Sequence, residues 1–212
     1  MSGGQMVDPF DAALHWSRVV AILRGSTAAH IPAAATVLIE LGIDVLEMPL
    51  TTPGALEAIA EVRSAHPDAF VGAGTVLSAI DAESAIDAGA QFLVAPAACP
   101  GMVSVAAARG LPSLPGFLTP SEALASVAGG ATHVKLFPAS ATTPDLLRQM
   151  LVPLPHLKVV PTGGVDLEAA HRWISSGAVA VGVGSPLLGD ALETGDLVGL
   201  ATRAAQWRAE LG

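Results

Sequence analysis

The sequence is poor in charge, in thiols and in lysine. Only 14% of its 212 residues are charged, and 19 acids against 10 bases leave a net charge of −9. A nucleic-acid backbone requires a basic face, and no run of lysines or arginines supplies one, so a general nucleic-acid binder is excluded. The single cysteine, Cys99, rules out an internal disulfide and suits a reducing compartment. No H-x-H, H-E-x-x-H or clustered Cys/His spacing occurs, so no metal is expected. The longest uncharged run, Ala88 to Ala108, contains Pro96 and Pro100, which would break a membrane helix and leave peptide groups unpaired in lipid. The first cation is Arg18, which argues against the basic start of a secretory signal. A soluble cytoplasmic protein, with neither nucleic acid nor membrane as partner, is the expectation.

Hydrophobic residues, by contrast, make up 51% of the chain. The length suits one domain over residues 1–212, and such a chain buries about 70% of the surface it exposes when unfolded. Short β-branched runs alternate with alanine-rich stretches. The runs predict strands at Arg18–Leu23, Val45–Pro49, Phe70–Thr75, Gln91–Ala95, Pro112–Pro115, His133–Phe137, Lys158–Thr162 and Val179–Gly184. Helices are predicted between them, at Ile31–Leu41, Leu56–Ala65, Ala79–Ala88 and Leu167–Ser176 among others. Gly42, Gly89, Gly130 and Gly177 each stand just before a strand, where a helix needs a residue that accepts the left-handed conformation. Strict alternation implies parallel strands, and eight units are enough to close a (β/α)8 TIM barrel. Pro9–Trp16 reads as a short extra N-terminal helix and Leu197–Leu211 as the closing one. The rival, an open doubly wound sheet, usually has a glycine-rich turn after its first strand, where this chain reads Leu23-Arg24-Gly25-Ser26.

Side chains alternate along a strand, so parity sorts them between the barrel interior and the helix layer. Leu46, Met48 and Leu50 share one face, which leaves Glu47 inward. Val134 and Leu136 take the helix side, which leaves Lys135 inward. Arg24 shares parity with Val20 and Ile22. Three charged residues are thus directed to one mouth of the barrel, the face where barrel enzymes carry their active sites. Unpaired buried charge is costly, so this convergence points to function. An amine attacks a carbonyl only when unprotonated, a state that burial and a neighbouring cation favour, and Arg24 is such a cation. A Schiff-base Lys135, a proton-shuttling Glu47 and an Arg24 that grips a carboxylate form one coherent set.

The seventh and eighth predicted strands end in Thr162-Gly163-Gly164 and Gly184-Ser185, the usual place for a phosphate in such barrels. Paired glycines let backbone N–H groups approach an anion without a basic patch. Asp166 reads as the next helix's N-cap. Lys158 reads as a solvated cap at the far end, His133 as a hydrogen-bonded core histidine, and Cys99 as a loop residue with no helix N-terminus beside it. Trp16, Trp173 and Trp207 read as helix-packing residues.

Five stretches carry a family resemblance: Ala21-Ile22-Leu23-Arg24-Gly25, Leu46-Glu47-Met48-Pro49-Leu50, Val71-Gly72-Ala73-Gly74-Thr75-Val76-Leu77, Val134-Lys135-Leu136-Phe137-Pro138-Ala139 and Pro161-Thr162-Gly163-Gly164-Val165. From Val19 to about Leu188 the chain resembles the 2-keto-3-deoxy-6-phosphogluconate/6-phosphogalactonate aldolases, which include 4-hydroxy-2-oxoglutarate aldolases. The resemblance implies a barrel homotrimer with a cofactor-free, metal-free class I mechanism. It implies a Schiff base at Lys135, an acid/base at Glu47, and Arg24, Thr75, Pro96 and Phe137 around pyruvate. It also implies a phosphate on Gly163, Gly164, Gly184 and Ser185, with Thr162 near the aldehyde end. The implied substrate is a phosphorylated keto acid, cleaved reversibly to pyruvate and glyceraldehyde 3-phosphate. Thr51 stands where many gluconate-type members carry arginine, whereas Thr162 is similar to that same branch, so the preferred epimer stays open. Two other functions are weighed: a sugar-phosphate epimerase or isomerase with Glu47 as base, and a non-catalytic phospho-ligand binding protein.

Overall fold

The structure, a computed structural model, describes residues 8–212. Helix α1 (Pro9–Ser17) leads into strand β1 (Val19–Ile22), followed by α2 (Ile31–Glu40), β2 (Val45–Pro49), α3 (Ala55–Ala65), β3 (Phe70–Gly74), α4 (Ala79–Asp87) and β4 (Leu93–Val94). Next come α5 (Pro100–Ala108), β5 (Ser113–Leu114), β6 (Gly116–Phe117), α6 (Pro120–Ala128), β7 (Val134–Leu136), a 3-10 turn (Ala139–Ala141) and α7 (Pro144–Leu151). The chain ends with β8 (Val159–Pro161), α8 (Leu167–Ser175), β9 (Val181–Val183), α9 (Ser185–Leu188), α10 (Ala191–Thr194) and α11 (Leu197–Leu211).

Local chemistry sets these boundaries. Ser78, Thr143 and Asp166 cap α4, α7 and α8 by accepting from the N–H three residues on, and Thr119 with Glu122 forms a full capping box on α6. At the other ends Gly42, Gly89, Gly130 and Gly177 all take positive φ, between 81° and 106°. Cys99 departs from its sequence reading: it is the N-cap residue of α5, with Pro100 in the first turn as the overlooked signal.

Every strand pairing is parallel, in a six-stranded sheet ordered β5-β4-β3-β2-β1-β9 and a three-stranded sheet ordered β6-β7-β8. The fifth expected strand is divided. Pro115 has no N–H to give, so the ladder is interrupted between β5 and β6, although its carbonyl still accepts from Lys135 N–H at 2.9 Å. On the other side Val179 N–H donates to Val159 O at 3.0 Å, and Thr162 pairs with Gly182 in an isolated bridge. Hydrogen bonds therefore join the two sheets across β8 and β9.

Strand parity divides the core in two. Leu46, Met48, Val134 and Leu136 pack outward against the helices in the larger cluster. Val20, Val45, Phe92, Val94, Leu114 and Val160 form the inner cluster with Phe10 and Leu14 of α1. Phe10 meets Phe70 edge-to-face and Phe92 at a tilt, at ring-centroid distances of 5.3 and 5.0 Å, so α1 covers the N-terminal ends of the strands. Asp11 bonds His133 Nε2 at 2.9 Å and pairs with Lys158. Lys158 is thus an ion-pair partner of α1 rather than a merely solvated end. Trp173 and Trp207 are buried as packing residues, but Trp16 is 62% exposed and lies under the Arg208 guanidinium instead. No helix among the described residues is long and apolar enough to cross a membrane.

Candidate active site

Glu47 on β2 and Lys135 on β7 point to the inner face and are both buried. Lys135 Nζ stands 3.6 Å from Glu47 Oε1, an ion-pair distance too long for a hydrogen bond. Among the described residues Glu47 Oε1 has no hydrogen-bond partner. A buried carboxylate oxygen left without a donor is costly, and such an atom in a cavity wall is positioned to accept from a ligand.

Glycines create the space this carboxylate occupies. A Cβ on Gly74 of β3 would lie 2.1 Å from Glu47 Oε1, and one on Gly72 would lie 2.5 Å from the Phe92 ring. The Gly72-Ala73-Gly74-Thr75 run is therefore the negative image of Glu47 and of the inner core beneath it. Gly182 plays the same part for Thr162, whose Oγ1 would meet an added Cβ at 2.3 Å.

Arg24 follows β1 and is exposed at the mouth. Its Nη1 donates to Thr51 Oγ1 at 3.2 Å and its Nη2 to Thr75 Oγ1 at 3.3 Å. Both acceptors are neutral, so the guanidinium charge has no carboxylate partner among the described residues. Thr75 holds a φ of 56°, a conformation costly for a β-branched residue, and it turns its hydroxyl toward Arg24. The Phe137 ring lies 5.4 Å from Lys135 Nζ, within cation–π range.

A cavity of about 510 Å³ opens at the C-terminal ends of the strands. One end of it brings together Arg24, Glu47, Thr75, Pro96, Lys135 and Phe137. Thr162, Gly163, Gly164, Gly184 and Ser185 line the other end. All eleven expected residues thus share one space. Gly163 and Gly164 have φ of 93° and 73°, and a Cβ on Gly164 would come within 2.8 Å of Ser140, so the turn excludes side chains. The sequence reading missed Ile22, Gly182, Leu188, Leu192 and Glu193, which also line the cavity. Parity with Gly184 was the available signal for Gly182. Glu193 sits on the four-residue α10, too short to show any periodicity.

His133 shares the parity of Lys135 but faces the opposite end of β7, between Thr132 Oγ1 at 3.0 Å and Asp11. Burial drives its pKa down to about 4, a fall that the Asp11 charge only partly offsets. It is the core histidine expected from sequence. Among the described residues no three His, Cys, Asp or Glu side chains converge to hold a metal ion.

A family model described as "Aldolase: KDPG and KHG aldolase" matches residues 10–201. The probable 2-dehydro-3-deoxy-6-phosphogalactonate aldolase of Rhizobium meliloti is 34% identical over 181 residues, covering 84% of this chain and 85% of that protein. Among solved structures, the 2-keto-3-deoxy-6-phosphogluconate aldolase of Zymomonas mobilis ZM4 with 3-phosphoglycerate is 29% identical, with a TM-score of 0.85 and 97% of each chain covered. The KDPG aldolase of Legionella pneumophila, with pyruvate captured at low pH as a covalent carbinolamine intermediate, is 26% identical with a TM-score of 0.83, covering 95% of this chain and 98% of that one. With a family model spanning most of its length and a relative this similar beside it, the chain belongs to the KDPG and KHG aldolase family.

Proposed function

We propose that this protein is a class I aldolase that reversibly cleaves a 2-keto-3-deoxy-6-phospho sugar acid, of gluconate or galactonate type, to pyruvate and glyceraldehyde 3-phosphate. The observation that carries this reading is the buried Lys135–Glu47 pair, whose carboxylate keeps an unbonded oxygen in the cavity wall. Glu47 is within reach to take the ammonium proton. The freed Nζ then attacks the C2 ketone to give a carbinolamine, and Glu47 passes the proton it took to the departing hydroxyl, so that water leaves, the iminium forms and the carboxylate is ionised again. Glu47 removes the C4 hydroxyl proton, the C3–C4 bond breaks, and its electron pair moves into the iminium to form an enamine. The aldehyde leaves. Glu47 returns the proton to C3, and water hydrolyses the second iminium to release pyruvate and restore the amine.

Arg24 and Thr75 hold the substrate carboxylate, with Pro96 and Phe137 packed on the pyruvate carbons. Backbone N–H groups of Gly163, Gly164, Gly184 and Ser185 hold the phosphate, and Thr162 faces the hydroxyl-bearing carbons between the two ends. The opposing signals of Thr51 and Thr162 support action on both C4 epimers, tested by pyruvate release from the two substrates side by side.

The reading extends to the architecture. The hydrogen bonds that join the two sheets support a closed (β/α)8 barrel forming one domain, with α1 as its short extra helix. The family resemblance supports a cytoplasmic homotrimer, which sedimentation velocity would test.

Incubation with pyruvate and borohydride is expected to add a stable pyruvate-derived mass at Lys135. An unmodified Lys135, under conditions that label a known Schiff-base enzyme, overturns the reading. Activity that survives Lys135→Arg and ignores borohydride would make Glu47 the base of an epimerase instead.

A further inference from the structure

The loop between β1 and α2 carries Arg24, and its hold on the rest of the protein is uneven. On one side, Gly25 N–H donates to Thr52 Oγ1 at 3.3 Å and Ala28 N–H to Pro53 O at 3.0 Å. On the other side the hydrogen bonds among the described residues all go to one residue. Ser26 N–H donates to Glu193 Oε1 at 2.7 Å, and Ser26 Oγ donates to Glu193 Oε2. These two bonds hold the Glu193 carboxyl below the usual carboxylate range, so it stays ionised and accepting. The backbone fits the same contact. A Cβ on Gly25 would meet Thr27 O at 2.9 Å and Leu192 Cβ at 3.3 Å, so the loop is pressed onto α10.

Arg24 needs such a hold. It is exposed, and its only side-chain partners among the described residues are the hydroxyls of Thr51 and Thr75, at 3.2 and 3.3 Å. Neutral acceptors at those distances restrain a long side chain weakly. The angle at which the guanidinium meets a carboxylate is then set by the backbone at residues 24–26. Glu193 also belongs to the segment that follows the Gly184-Ser185 turn, so one side chain ties the carboxylate end of the cavity to its phosphate end.

We propose that Glu193 is a positioning residue, which clamps Ser26 so that Arg24 is held ready for the carboxylate of the substrate. This rests on the aldolase reading. Glu193 takes no part in the bond-making steps, so its loss weakens binding and leaves the chemistry of Lys135 and Glu47 intact.

Borohydride trapping over a range of pyruvate concentrations tests the clamp. The half-saturating pyruvate concentration reports binding, and the limiting trapping rate reports imine formation. Glu193→Ala is expected to raise the first about tenfold while the second stays within twofold. Glu193→Gln, whose amide can still pair with both Ser26 groups, is expected to bring the half-saturating concentration back to within twofold of the parent. Ser26→Ala keeps the N–H bond and should fall between. Adding Glu193→Ala to Arg24→Ala should cost nothing further, because the clamp acts through the arginine. Unchanged pyruvate saturation in Glu193→Ala, no rescue by Gln, or losses that add to those of Arg24→Ala would each overturn the clamp. If instead the parent protein is not trapped at all, the aldolase reading fails first, so the two failures are distinct.

Discussion

At the scale of single residues, the site depends as much on missing atoms as on present ones. Gly74 is the clearest case, because its absent Cβ occupies the space of the Glu47 carboxylate. Gly74→Ala forces Glu47 off its position and should lower kcat at least about 100-fold, the usual worth of a placed acid/base, with an overpacking cost of about 1–3 kcal/mol. In an Glu47→Ala background the space is vacated, so the same substitution should cost almost no stability, as urea unfolding of the four variants would show. Full destabilisation in both backgrounds would remove the steric explanation. Glu47 and Lys135 were legible in the sequence because each is a charge of odd parity in an apolar strand. Glu193 was not, because a glutamate in Ala191-Leu192-Glu193-Thr194 has no pattern around it and acts through a residue 167 positions earlier in the chain.

At the scale of elements, strand parity and helix punctuation carried over to the structure, whereas contacts between distant elements did not. Leu46, Met48, Val134 and Leu136 face the helices as alternation requires, and four glycines end helices with positive φ. The division at Pro115 and the short α9 and α10 were not readable, because two- and four-residue elements show no period. Nor was the seat of α1, where Asp11 meets His133 and Lys158 across 122 and 147 positions. That seat has a consequence for stability. His133 is neutral in the fold, with a pKa of about 4, while in the unfolded chain it titrates at its ordinary value near 6.5. Between those values the unfolded chain binds a proton that the folded chain does not, so stability rises with pH through this window and is lost as pH falls. The loss is of the order of 3 kcal/mol for this one group. Urea midpoints should drop between pH 7 and pH 4.5, and His133→Leu should flatten the drop. Equal slopes in the parent and the variant would exclude His133 as the source.

At the scale of the whole molecule, a net charge of −9 sets the protein against its own proposed substrate, which carries a carboxylate and a phosphate. Among the described residues the only cations lining the cavity are Arg24 and Lys135, both at the end away from the Gly163-Gly164 turn, so attraction is short-ranged while repulsion comes from the entire surface. Salt separates these two ranges. The screening length is about 30 Å at 0.01 M and about 8 Å at 0.15 M, which removes the distant repulsion and leaves contacts within the cavity largely intact. For the proposed cleavage, kcat/KM is therefore expected to rise about two- to threefold between 0.01 and 0.15 M sodium chloride, with kcat unchanged, because only the encounter is affected. Pyruvate carries a single charge and should show a weaker dependence in the trapping assay. A fall in kcat/KM over the same range would mean that the field at the mouth is already attractive at long distance, and that Arg24 and the backbone N–H groups outweigh the acidic surface during approach.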